Sequence, residues 1–75
     1  LYSMKKIKKI KIKVNGKSTI IGDNLSLFRY IKKLKVPITK VAIELNREIM
    51  DKNRLSKIKL KNNDRIEIVH FIGGG

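Results

Sequence analysis

Lys6-Ile7-Lys8-Lys9-Ile10-Lys11-Ile12-Lys13-Val14 is followed at once by Asn15-Gly16, and then by Lys17-Ser18-Thr19-Ile20-Ile21. From Lys9 onward the first run alternates. Ile10, Ile12 and Val14 fall on one side, and Lys9, Lys11 and Lys13 on the other. A period of two with β-branched residues is the pattern of a strand half buried against a core. Asn15-Gly16 accepts the positive φ angles of a tight type I′ turn. Residues 6–14 and 17–21 are therefore predicted to pair as a hairpin.

Gly22-Asp23-Asn24 ends that hairpin, and Asp23 or Asn24 is the predicted cap of a helix running from about Leu25 to Lys35. Leu27, Ile31 and Leu34 are spaced i, i+4, i+7, with Leu25 and Phe28 widening the stripe. Lys33 and Lys35 suit the negative end of the helix dipole, and Pro37 stops the helix soon after. Val41-Ala42-Ile43-Glu44-Leu45 alternates again, with Val41, Ile43 and Leu45 inward. Asn46-Arg47 reads as a turn and 48–50 as a short partner strand. Residues 51–59 read as an irregular crossover anchored by Leu55 and Ile58, with Leu60 packed beneath. Asn62-Asn63-Asp64 is a turn, because Asn tolerates left-handed backbone and Asp bonds nearby amides. Residues 65–72 form the last strand, with Ile66 and Ile68 sharing the core face of Ile12, and Val69 and Phe71 facing the other way.

The order β-β-α-β-β-β, with strands segregated from a single helix, predicts an α+β domain. Its pattern is that of the ubiquitin-like β-grasp: a four- to five-stranded mixed sheet with one main helix packed on one face.

The chain has 75 residues, enough for one small domain. Such a domain buries only roughly 60% of the surface its unfolded chain exposes. It has no room for a deep catalytic cleft. It contains no cysteine, which excludes a disulfide framework, a thiolate metal site and a cysteine nucleophile. No apolar stretch approaches the roughly 20 residues of a membrane-spanning helix. The N-terminal lysines never give way to the apolar core of a secretory signal. Leu1, Tyr2 and Ser3 precede Met4, so residues 1–3 are expected to be an expression remnant, 4–72 the domain and 73–75 a flexible tail. The net charge of +13 invites a nucleic-acid reading, since clustered Lys and Arg neutralise phosphates. The competing reading is nucleotide bias in the genome, with no binding role.

The chain ends Gly73-Gly74-Gly75, directly after a strongly patterned strand. Glycine has no Cβ, so such a tail can enter a channel where any side chain would clash. It also leaves the terminal carboxyl carbon open to attack. Residues 72–75, fully extended, span at most roughly 13–14 Å, enough to reach a recessed active site in a partner. The competing reading is a frayed end of no consequence.

Asp64-Arg65-Ile66-Glu67-Ile68-Val69-His70-Phe71-Ile72-Gly73-Gly74-Gly75 resembles the ending of the sulfur carriers of thiamin biosynthesis, the ThiS family. Ile12-Lys13-Val14-Asn15-Gly16-Lys17 resembles that family's first hairpin. Val41-Ala42-Ile43-Glu44-Leu45-Asn46-Arg47-Glu48-Ile49 is similar to its third strand and turn. There are three departures. Asn63 and Arg47 stand where the family usually has Gly, and the charge is strongly basic where such carriers are often neutral or acidic.

The resemblance implies a carrier and not an enzyme. An adenylating enzyme of the ubiquitin-activating type would use ATP to adenylate the Gly75 carboxylate. A persulfide enzyme would then donate sulfur to give a thiocarboxylate, which thiazole synthase would consume. ATP, magnesium and the catalytic residues would belong to those partners, with no cofactor bound permanently here. Gly73 and Gly74 would thread the partner's active site, and Val69, Phe71 and Ile72 would form the docking patch beside it. The resemblance also implies a cytoplasmic protein, a setting that the absence of cysteine suits. A monomer is expected, with no membrane partner.

His70 is the only histidine and no carboxylate or nucleophile is spaced to join it; it is expected to be a strand residue at a sheet edge or under a loop. Three other functions share the features above. Another β-grasp carrier, feeding molybdopterin, cysteine or tRNA thiolation, would differ only in its acceptor. A ubiquitin-like modifier would leave isopeptide-linked products. A small basic nucleic-acid-binding module would need exposed aromatics to stack bases, and with Phe28 expected in the core that platform is missing.

Overall fold

The computed structural model of the chain describes residues 8–71. Five strands form one sheet: β1 (Lys9–Val14), β2 (Lys17–Gly22), β3 (Val41–Leu45), β4 (Glu48–Ile49) and β5 (Arg65–His70). Their spatial order is β2-β1-β5-β3-β4. β1 and β5 run parallel, and every other neighbouring pair is antiparallel. The helix α1 (Leu27–Leu34) supplies the crossover after the first hairpin. The architecture is the mixed-sheet α+β fold predicted, with five strands.

The first hairpin forms as its alternation requires. Val14 pairs with Lys17, and the turn residues Asn15 and Gly16 take φ of 49° and 85°. Asn46 and Arg47 repeat that conformation between β3 and β4, at 52° and 73°. The turn thus survives without glycine, although a residue with a Cβ pays for left-handed backbone. Asn63 also takes a positive φ, as its place before Asp64 led one to expect.

The core is one cluster on one face of the sheet. Leu27, Tyr30 and Ile31 of α1 meet Ile12, Val41, Ile43, Ile66 and Ile68 of the strands, with Leu55 and Leu60 closing one side. Ile58 is half buried against it. Burial raises the pKa of the Tyr30 phenol above its ordinary value, while a hydrogen bond with Thr19 of β2 works against that rise. The polar handle of Tyr30 therefore ties the helix to the hairpin while its ring fills the core.

Several boundaries differ from the sequence reading. The helix is capped by Ser26, whose Oγ accepts from the Arg29 amide at 3.1 Å, and not by Asp23 or Asn24. The cause is non-local. The Leu27 amide donates to the Ile58 carbonyl (2.8 Å) and the Leu60 amide to the Leu25 carbonyl (2.9 Å). These bonds hold Leu25 and Ser26 extended, so the helix starts two residues late. It ends at Leu34, because Lys35 adopts a left-handed cap at φ 60°. Leu34, predicted in the apolar stripe, is 39% exposed. The crossover is also more regular than expected: Lys52–Lys57 forms a 3-10 helix capped by Asp51. β5 ends at His70, two residues short of the predicted strand end; Ile72 lies outside the described residues.

Candidate functional site

β5 is the strand that leads to the chain's glycines, and it is fixed along both sides. Against β3 it pairs from Leu45↔Ile66 to Val41↔His70. Against β1 it pairs only at Lys13↔Arg65 and Val14↔Ile66, because β1 turns into the hairpin there. Beyond that point the turn itself takes over. The Asn15 amide donates to the Ile66 carbonyl (2.9 Å), and Asn15 Oδ1 accepts from the Ile68 amide (2.8 Å).

The entrance to β5 is stapled by a carboxylate. Asp64 is buried; its Oδ1 accepts from Asn46 Nδ2 (3.0 Å) and its Oδ2 from the Lys61 amide (2.8 Å). Asn46 Oδ1 accepts in turn from the Arg65 amide (2.9 Å). A buried carboxylate is tolerated only when its lone pairs are met, and here each oxygen has a donor. Asn15, Asn46 and Asp64 thus convert three turns into a rigid mount for one strand.

At its far end β5 delivers Val69 to the sheet face opposite α1, and Phe71 follows one residue past the strand. They are 53% and 58% exposed. The Phe71 amide still donates to the Lys40 carbonyl (3.0 Å), so the backbone is held one residue past the strand. The Lys52 ammonium stands 5.4 Å from the centroid of the Phe71 ring, within the range of a cation–π contact. An exposed apolar pair thus stands next to a fixed strand exit. Of the predicted site residues, the structure brings Val69 and Phe71 together there. Ile72, Gly73, Gly74 and Gly75 lie outside the described residues.

His70 is exposed at the end of β5, a strand with neighbours on both sides over its first half. Among the described residues no three His, Cys, Asp or Glu side chains are grouped to hold a metal ion. Also among these residues, no helix is long and apolar enough to cross a membrane.

Sequence reasoning did not find the Asn15 contact to Ile68, nor the seat of Lys52 on Phe71. The first joins residues 53 apart in the chain, and no local pattern signals it. The bond from the Lys61 amide to Asp64 was legible as a turn habit of Asp, but the reach of Asn46 was not.

The profile of the ThiS family matches residues 8–75. The chain is 33% identical over 66 residues to the thiazole synthase of Paramagnetospirillum magneticum, covering 88% of this chain and 20% of that protein. It therefore spans about a fifth of the length of the thiazole synthases it matches. It is 51% identical over 35 residues to the sulfur carrier protein ThiS of Bacillus subtilis, covering 47% of this chain and 53% of that one. The crystal structure of the thiamine biosynthesis protein ThiS from Geobacter metallireducens superposes with a TM-score of 0.78 at 29% identity, covering 88% of this chain and all of that one.

Proposed function

Because this chain belongs to the ThiS family, we propose that it is a sulfur carrier of thiamin biosynthesis, and that Gly75 bears the sulfur. The observation that carries the reading is the coupling of β5 to the glycine run. A strand anchored by Asn15, Asn46 and Asp64 leads, past an exposed Val69 and Phe71, into residues without side chains. A carboxylate is a poor electrophile, and adenylation gives it a good leaving group. An adenylating enzyme of the ubiquitin-activating type performs that step with ATP and releases pyrophosphate. The persulfide sulfur of a donor then attacks the acyl carbon and AMP leaves. A second thiol cleaves the resulting acyl disulfide, so that the donor keeps a disulfide and this chain the thiocarboxylate. The thiocarboxylate passes to thiazole synthase. The similarity to proteins named thiazole synthase supports the last partner. The carrier's part is mechanical: it presents the carboxylate at the end of a narrow tail and offers Val69, Phe71 and Ile72 for docking, while Gly73 and Gly74 thread the partner's channel.

ATP–pyrophosphate exchange tests the first step. With the adenylating enzyme encoded in the same genome, exchange should depend on this chain and disappear when Gly75 is deleted. Exchange that persists at full rate without Gly75 would contradict the assignment of the reacting residue.

A further inference from the structure

The open face of the sheet carries a charge pattern that the tail chemistry does not require. Lys9, Lys11 and Lys13 project from β1 on the side away from the core, all exposed, with Ile12 buried between them. Alternate residues of a strand are about 6.6–6.8 Å apart, so they form a straight column of cations. Their cross-strand neighbours supply no carboxylate. Lys9 faces Gly22, Lys11 faces Ile20 and Lys13 faces Ser18 on β2. On the other side Lys13 faces Arg65 of β5. Like charges directly opposite one another destabilise a sheet. The acids on this face stand elsewhere: Glu44 and Glu67 line a shallow hollow of about 240 Å³ with Arg47, Arg65 and Val69. Among the described residues no carboxylate is paired across from the column, which stands at the end of the sheet far from Phe71.

We infer that this column, with the 63% exposed Ile20 beside it, is a docking site for an acidic surface of the adenylating enzyme. The inference rests on the carrier reading above. Ile20 at one side and Val69 at the other give the face apolar grips, and the lysines between them select a partner carrying carboxylates. Charges of this kind act mainly on encounter rate and specificity, and a carrier handed between enzymes depends on both. Nucleic acid fits the column less well. The described aromatics Phe28 and Tyr30 lie on the helix, across the sheet, and Phe71 is at the far end of β5, so among the described residues no aromatic stands beside the lysines to stack a base.

The test compares two triple variants that lose the same charge. K9Q/K11Q/K13Q strips the column, and R29Q/K32Q/K33Q strips three exposed cations of α1 on the opposite side of the sheet. In ATP–pyrophosphate exchange at low ionic strength, the first should raise KM for the carrier about five- to tenfold with kcat unchanged. The second should leave KM within about twofold, and the gap should close as salt screens the surface. Circular dichroism melts should show both variants folded. An active wild type whose KM moves equally in both variants, or in neither, would overturn the docking site alone. A wild type inert with an adenylating enzyme competent on another carrier would overturn the carrier reading and the docking site with it. Salt-sensitive binding of a labelled oligouridylate, lost only in K9Q/K11Q/K13Q while KM stays constant, would give the column to nucleic acid instead.

Discussion

Asp64 is the residue on which the geometry of the exit strand depends. Its two oxygens hold Asn46 and the Lys61 amide, and Asn46 holds the Arg65 amide. Removing the carboxylate strands donors that folding has withdrawn from water, which costs about 1–3 kcal/mol. Asp64→Ala should lower stability by that amount in urea unfolding, and Asp64→Asn, which keeps one acceptor, should lose less. Equal stability of Asp64→Ala and the parent would show that the staple contributes nothing. Arg47 shows the same logic with the opposite outcome. Its positive φ is the cost of a turn built without glycine, and the paired Glu48 and Leu45 show that the hairpin forms regardless.

At the scale of elements, what could be read from the sequence was what is encoded locally. The alternation of residues 9–14 and the Asn15-Gly16 pair specify the first hairpin with no help from the rest of the chain. β3 has the predicted bounds for the same reason. The helix start was misread because its cap is chosen by residues 58–60, which clamp Leu25 and Ser26 into an extended bridge. Tyr30 lies three residues after Leu27 on the buried side of the helix, and its hydroxyl meets Thr19 only once the hairpin is in place. In the candidate site, strand alternation was enough to place Val69 on the open face, and Phe71, one residue past the strand, is exposed. The mount that steadies them joins three separate turns and carries no periodic signal. The exit end of β5 supports a prediction of its own. Phe71 lies outside the core, so Phe71→Asp should keep the melting temperature close to the parent's. If it grips the adenylating enzyme, kcat/KM for activation should fall on the order of tenfold or more, as truncating an interface aromatic does. An unfolded variant would mean that Phe71 belongs to the core after all, and an active one would remove it from the docking patch.

The whole molecule is a small scaffold with two differently dressed faces. One buries its apolar residues under a short helix. The other stays open, with cations along β1 and apolar side chains beside the strand exit. The exposed residues of that face stand beside the strand that leads to the glycine run. Part of the net charge of +13 stands as a column of three lysines on the open face, and other exposed cations lie on α1 across the sheet. The most direct test of the carrier role is the intact mass of this chain after incubation with its adenylating enzyme, ATP and a persulfide donor. The expected result is a gain equal to one oxygen replaced by sulfur, confined to the C-terminal peptide and absent when Gly75 is deleted. An unchanged mass, with an enzyme shown to be competent on another carrier, would contradict sulfur transfer by this chain.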